Sequence, residues 1–460
     1  MSRFLVFLLL AGLSLSHVVA SSVQEQAEFL AGMPLSRNSP LVPFQECADY
    51  RHYQQELQEQ WAFCKRIRYE SMQQWGHEHL GQNRATRGVV RYLFGGPDFL
   101  NAHAFFPNAR IMVLGGLEPV GEVPPPETLT PEAMSVGLKA LREALHNSLF
   151  CGYFITSEMR PQLLQGSFRG VLPVLFTELA LTENQILSVE MVKPFGSPGV
   201  KILYARFDLR ADTQPQILYY FQADLSNGKE GTRFLNWLGA LGNGVSYLKA
   251  ASYLLPLDSF SQTREFLLKT SALILQDDSG IPFADFHTDL WKVQLFGVYL
   301  EPLAVFKLHR DPAMETGYAS SAYGGPLGFG VGYHVKARDA NLLLATRINE
   351  RKDSVAYPSA IIPMPEAMST PTPTPKPTRT ARSSKRPKPT PIPIRKALPV
   401  DANEEIEIRK ALPVEEAPMD QSQPAPTPAV DAIPAPSEDK TLQPTGEPSQ
   451  LPDPPALEKL

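Results

Sequence analysis

The chain has 460 residues and a formal net charge of −5, close to neutral for its size. No cluster of Lys and Arg with interleaved aromatics marks a nucleic-acid footprint, so no nucleic acid is expected as a partner. Cys47, Cys64 and Cys151 are the only cysteines, which argues against a disulfide scaffold.

The opening, MSRFLVFLLLAGLSLSHVVASS, sets Arg3 before an apolar run from Phe4 to Leu15, then Val18-Val19-Ala20 before Ser21. Positive, apolar and small-residue regions in that order read as a signal peptide over 1–20, cleaved after Ala20. The run falls short of the roughly 20 residues that span a bilayer. The mature chain is therefore expected to be extracytoplasmic, periplasmic or secreted, with no transmembrane segment. Residues 21–42 are expected to form a flexible N-terminal segment ahead of a globular α/β core over 43–355, with two candidate subdomains, 43–182 and 183–355.

From Phe44 to Trp75, Tyr50, Tyr53, Leu57, Trp61, Cys64, Ile67 and Trp75 recur at helical steps with no Gly or Pro between them, predicting one long helix. Cys47 and Cys64 then stand about 25 Å apart, beyond disulfide reach, and both are expected as buried free thiols. Strands are expected at Val89–Phe94 and Arg110–Leu114, flanking a helix from Pro97 to Phe106. Thr130-Pro131 opens another helix, with Met134, Leu138, Leu141 and Leu145 as its apolar stripe. Ile186–Val192, Val200–Leu209 and Ile217–Leu225 predict an antiparallel meander. A helix at Gly231–Leu241, a strand at Val245–Leu255, a helix at Phe260–Gln276 and strands at Trp291–Tyr299, Val331–Val335 and Asn341–Arg347 follow. The expected fold is α/β to α+β, a mixed sheet with flanking helices.

Tyr357 is the last aromatic residue, and 24 of the 44 prolines lie beyond it. Such a segment cannot bury enough apolar surface to offset its ordering entropy, so 356–460 is expected to be a disordered Pro-rich tail. It is basic over 376–396 and acidic over 401–460, and Ile394-Arg-Lys-Ala-Leu-Pro-Val400 recurs at Ile408–Val414. Proline-rich chain favours extended polyproline II geometry, suiting a spacer that reaches a cell-wall polymer, an anionic membrane surface or an envelope protein.

Candidate chemistry centres on VVRYLFGGPDFLNAHAFFPNARIMVLGGLEPVG, residues 89–121. Strand, glycine turn, helix and strand, with Glu118 standing 22 residues after Gly96, have the spacing of a nucleotide-binding unit. The third glycine of that fingerprint is missing, and Asp98 would repel a phosphate at the helix start. Asp98 and Glu118 are instead candidate acid/base or cation-holding residues at the carboxyl ends of adjacent parallel strands. Their structural roles would be a helix cap for Asp98 and an arginine pair for Glu118. Asp277 and Asp278, before Ser279-Gly280, form a second candidate loop. Ser246 and Lys249 match S-x-x-K but lack a helical context and companion motifs. His77 and His79, two apart, make a weak metal pattern. The sequence assigns no cofactor-binding residue and leaves the cofactor and any metal unknown.

Taken together, YLFGGPDFLNAHAFFPNARIMVLGGLEPVG, GVSYLKAASYLL, ILQDDSGIPF and PLGFGVGYHV resemble an uncharacterised family of exported bacterial proteins. The resemblance covers roughly 85–350 and implies an envelope setting, with no activity to carry over. Two functions are expected: a binding or structural module with a proline-rich spacer, or an extracytoplasmic hydrolase using the carboxylates, with or without a metal.

Overall fold

A computed structural model describes residues 20–83, 88–150, 152–153, 161–207, 214–302 and 304–348. All of them belong to one compact unit. The predicted signal peptide, except for Ala20, and the proline-rich tail lie outside the described residues.

Helix α1 (Val23–Leu30) begins with a reciprocal capping box: the Ser22 hydroxyl accepts from Glu25 N, and Ser22 N donates to the Glu25 carboxylate. The short α2 (Val42–Gln45) leads into α3 (Ala48–Cys64), a π-helical turn at Lys65–Tyr69 and α4 (Glu70–His79), which together run without interruption. Side chains of α3 satisfy the open carbonyls at the end of α1 and just beyond it. Tyr50 and Tyr53 donate to Phe29 O and Leu30 O, Gln58 to Ala31 O and Gln54 to Gly32 O. Residues 21–42 are therefore not a loose leader: Ala27, Phe29 and Leu30 are fully buried, because α3 supplies both the apolar wall and the missing donors. Cys64 is buried as expected, whereas Cys47 is exposed, since it precedes the first turn of α3 instead of facing the core.

The next elements are β1 (Val89–Tyr92), α5 (Phe99–Phe105), β2 (Ile111–Gly116), α6 (Pro131–Phe150), α7 (Leu172–Leu181), β3 (Asn184–Val192), β4 (Gly199–Arg206) and β5 (Gln216–Gln222). After them come α8 (Lys229–Ala240), β6 (Gly244–Leu248), α9 (Ser261–Thr270), β7 (Ser271–Gln276), β8 (Trp291–Gly297), α10 (Pro312–Ala319), β9 (Tyr323–Gly324) and β10 (Asn341–Arg347). The strands form one mixed sheet in the order β3-β4-β5-β2-β1-β6-β7-β10-β8-β9. Both candidate subdomains contribute strands to it. The β5-β2-β1-β6-β7 segment is parallel, and β3-β4-β5 is the expected antiparallel meander. β10 enters antiparallel between β7 and β8.

Alternation along the strands sorts the core into two layers. Val90 and Tyr92 of β1, Met112 and Leu114 of β2, and Leu342 and Leu344 of β10 face the layer with α1 and α3–α7. Val89, Ile111, Val113, Leu343 and Ala345 face the layer with α8, α9 and α10.

Three expected elements change. Phe260–Gln276 divides into α9 and β7, because Ser271–Gln276 is buried on both faces, and periodicity does not separate such a run from a helix. The strand expected to Leu255 ends at Leu248, where Lys249 and a left-handed backbone begin. Val331–Val335 is an isolated bridge between Val331 and His334, since Gly332 turns the chain back at positive φ.

Arg91 of β1 lies among apolar strand residues yet is fully buried. Its guanidinium donates to Gly242 O beyond α8 and to Thr270 O and Oγ1 at the end of α9, and lies 5.2 Å from the Phe266 ring centroid. A cation thus meets two helix carboxyl ends, the favourable sign for their dipoles. Burial pushes its pKa down to about 10. Arg91→Leu is expected to lower stability by about 2–4 kcal/mol by orphaning those carbonyls, measured by urea unfolding.

Candidate functional site

In a doubly wound sheet, ligands enter the crevice at the carboxyl ends of the strands, where the connections diverge to opposite faces. Here that point lies between β1 and β6. The β1 connection passes through α5 into one core layer, and the β6 connection through α9 into the other. Asp98 follows β1, Glu118 follows β2, Lys249 follows β6, and Asp277-Asp278 follow β7.

The β1–β6 crevice is filled from within. Lys249 Nζ donates to Asp98 Oδ2 and to Gly152 O, and both charged side chains are 1% exposed. Asp98 caps α5 through Asn101 N, at 3.2 Å, and takes further bonds from Asn101 Nδ2 and from Tyr92 OH, at 2.9 Å. Burial pulls the Lys249 pKa down, while the Asp98 and Asp277 charges oppose that shift. The Gly95 turn lies directly on the Tyr92 ring, which leaves no room for a Cβ at Gly95.

The remaining donors at the start of α5 are also taken. Glu178 of α7 accepts from Phe99 N at 2.8 Å and from Leu100 N at 3.3 Å, while Ser148 Oγ donates to its other oxygen. A resident side-chain carboxyl thus occupies the position in which a phosphate would meet backbone N–H groups. Burial, followed by the Asp98 charge, holds the Glu178 carboxyl well above the usual range. Sequence reasoning missed Glu178, although a lone acid in LPVLFTELAL was a signal for it.

Glu118 is buried beside β5 instead of meeting an arginine. Tyr220 OH donates to its backbone O at 2.9 Å and to Oε2 at 3.3 Å. The two glycine turns press together, with Gly96 N donating to Gly115 O, and Gly116 leaves room for both Gly96 and the Glu118 carboxylate. Among the described residues no hydrogen bond links Glu118 to Asp98.

The Asp277-Asp278 loop forms a third network. Asp277 accepts from Ala250 N at 2.8 Å and from Ser279 N and Oγ, while Ser279 Oγ accepts from Ala251 N. In this stretch Ala250, Ser252 and Tyr253 have φ of 50°, 53° and 53°, left-handed conformations that cost non-glycine residues about 1–2 kcal/mol each. Asp278 Oδ2 accepts from Tyr253 OH at 2.7 Å and lies 3.5 Å from His334 Nε2. Its buried Oδ1 has no partner among the described residues. Burial and then the Asp278 charge push the Asp277 carboxyl up to about 6. At His334, burial lowers the pKa, but the Asp278 hydrogen bond and charge outweigh it and the net shift is upward.

The other sequence candidates separate. Ser246 lies within β6 and shares a 2.7 Å hydrogen bond with Ser271 Oγ, so it does not work with Lys249. His79 packs against Trp75 and Phe296. Among the described residues no group of three His, Cys, Asp or Glu is placed to hold a metal ion. Surface hollows occur elsewhere, between α3 and α6 and at the start of α8. Compared with protein-family models, curated proteins and solved structures, the chain matches none.

Lys249→Met is expected to cost about 3–5 kcal/mol by stranding the Asp98 charge. Adding Asp98→Asn should recover much of that loss in urea unfolding. Asp277 has a folded pKa above its ordinary value, so its contribution to stability is present below about pH 4 and is lost as pH rises to about 6. Asp277→Asn should remove that slope from stability measured across this window.

Proposed function

We propose that this is an exported cell-envelope protein whose core is a binding or structural module, carrying a proline-rich spacer. One observation carries the reading of the core: Lys249, Asp98 and Glu178 occupy the crevice where a doubly wound sheet would otherwise receive a ligand. A buried ion pair with its hydrogen bonds satisfied is costly to open, so the crevice serves cohesion. The amino-terminal leader and the sequence resemblance support export. Among the described residues no helix is long and apolar enough to cross a membrane. The basic stretch 376–396 supports contact with an anionic membrane surface or cell-wall polymer, and an envelope protein is the other partner class for the tail.

The hydrolase reading keeps one specific support, the Asp277 carboxyl raised to about 6 beside Asp278 and Ser279. A carboxyl near that value suits proton transfer close to neutrality.

Two measurements separate these readings. The chain from Ser21 to Leu460 should sediment with cell-wall sacculi or phosphatidylglycerol vesicles at low salt and come off at high salt. A chain ending at Tyr357 should not sediment, and equal sedimentation of both would remove the tail from the proposal. Chromogenic esters, glycosides and phosphate esters should show no turnover sensitive to Asp277→Asn or Asp278→Asn. A loss of about 100-fold or more in either variant would establish the hydrolase instead.

A further inference from the structure

Ala20 is exposed, whereas the next residue, Ser21, is only 8% exposed. Both oxygens of one carboxylate close on Ser21: its N donates to Glu127 Oε1 at 2.7 Å and its Oγ to Glu127 Oε2 at 2.8 Å. Gln26 Nε2 donates to Ser21 O and Oγ from the other side, at 3.3 and 3.2 Å. Glu127 belongs to the 3-10 turn Pro126–Thr128, 106 residues away in sequence, and Ser21 directly precedes the Ser22 cap of α1. The chain is thus gripped by a full charge at the residue that follows the expected cleavage point.

In the uncut chain that charge faces a neutral amide with one proton to give. Hydrolysis of the Ala20–Ser21 bond by a signal peptidase breaks the C–N bond. Water supplies the hydroxyl to the Ala20 carbonyl carbon and a proton to the Ser21 nitrogen. The resulting amine takes up a further proton near neutral pH, since α-amino groups have pKa values of about 7.7–8.0. We propose that Glu127 is the receptor for this new α-ammonium, so that removal of the leader turns a hydrogen bond into an ion pair and fastens α1 to the core. The inference rests on the reading of residues 1–20 as a cleaved leader. Its consequence is directional: the precursor closes less tightly than the mature protein, which favours an export-competent chain before cleavage and a stable one after it.

A four-protein cycle tests the receptor. The chain beginning at Ser21, released from a tag without extra residues, is compared with the same chain retaining residues 18–20, each with Glu127 or with Glu127→Gln. The Ser21 chain should melt about 2–4 °C above the extended chain when Glu127 is present, and the gap should vanish with Glu127→Gln. No gap, or one that persists without the carboxylate, overturns the ion pair. Amino-terminal sequencing of the exported protein tests the underlying reading separately. Ser21 as first residue supports the maturation role, and any other terminus overturns it whatever the cycle shows.

Discussion

The buried ion pair between Asp98 and Lys249 ties together the middle of this protein. It joins the end of β1 to the end of β6, the point at which the sheet reverses its winding, and it fixes the start of α5 through the same carboxylate. Two desolvated charges in contact are stable there only because Tyr92, Asn101 and Gly152 complete their hydrogen bonds. The left-handed backbone begins directly after Lys249, where Asp277 and Ser279 accept from Ala250 N and Ala251 N.

Around it the carboxylates divide by environment. Asp98 and the Glu178 carboxyl take up the N–H groups at the start of α5, Glu118 is retained by a tyrosine of β5, and Asp277 and Asp278 organise a turn. Of the four candidates, the sequence places Asp98 and Glu118 at strand ends and Asp277 and Asp278 in a loop after a helix, and the structure sets all four after strands. Burial and partners set them apart, and only the Asp277-Asp278 loop combines a raised carboxyl with an unpartnered oxygen.

Arg91 shows the same economy on the opposite face. A guanidinium in the middle of a strand would ordinarily count against burial. Here the carboxyl ends of two helices converge on it, so one cation answers carbonyls beyond α8 and at the end of α9. Charge in this protein is used inside the fold to close element ends that backbone hydrogen bonds leave open.

The sequence by itself determined whatever is encoded within a few residues: the long helical rod, the meander of β3–β5, the Thr130 start of α6 and Asp98 as the cap of α5. Those features depend on periodicity and on hydrogen bonds three or four residues apart, so spacing reveals them. Only the tertiary structure decided that α1 is packed, that Ser271–Gln276 is a strand, and that Lys249 and Glu178 fill the crevice. Their partners lie at a distance along the chain, 151 residues from Lys249 to Asp98 and 79 from Glu178 to Phe99. Sheet order brings such groups together, and no local pattern encodes it.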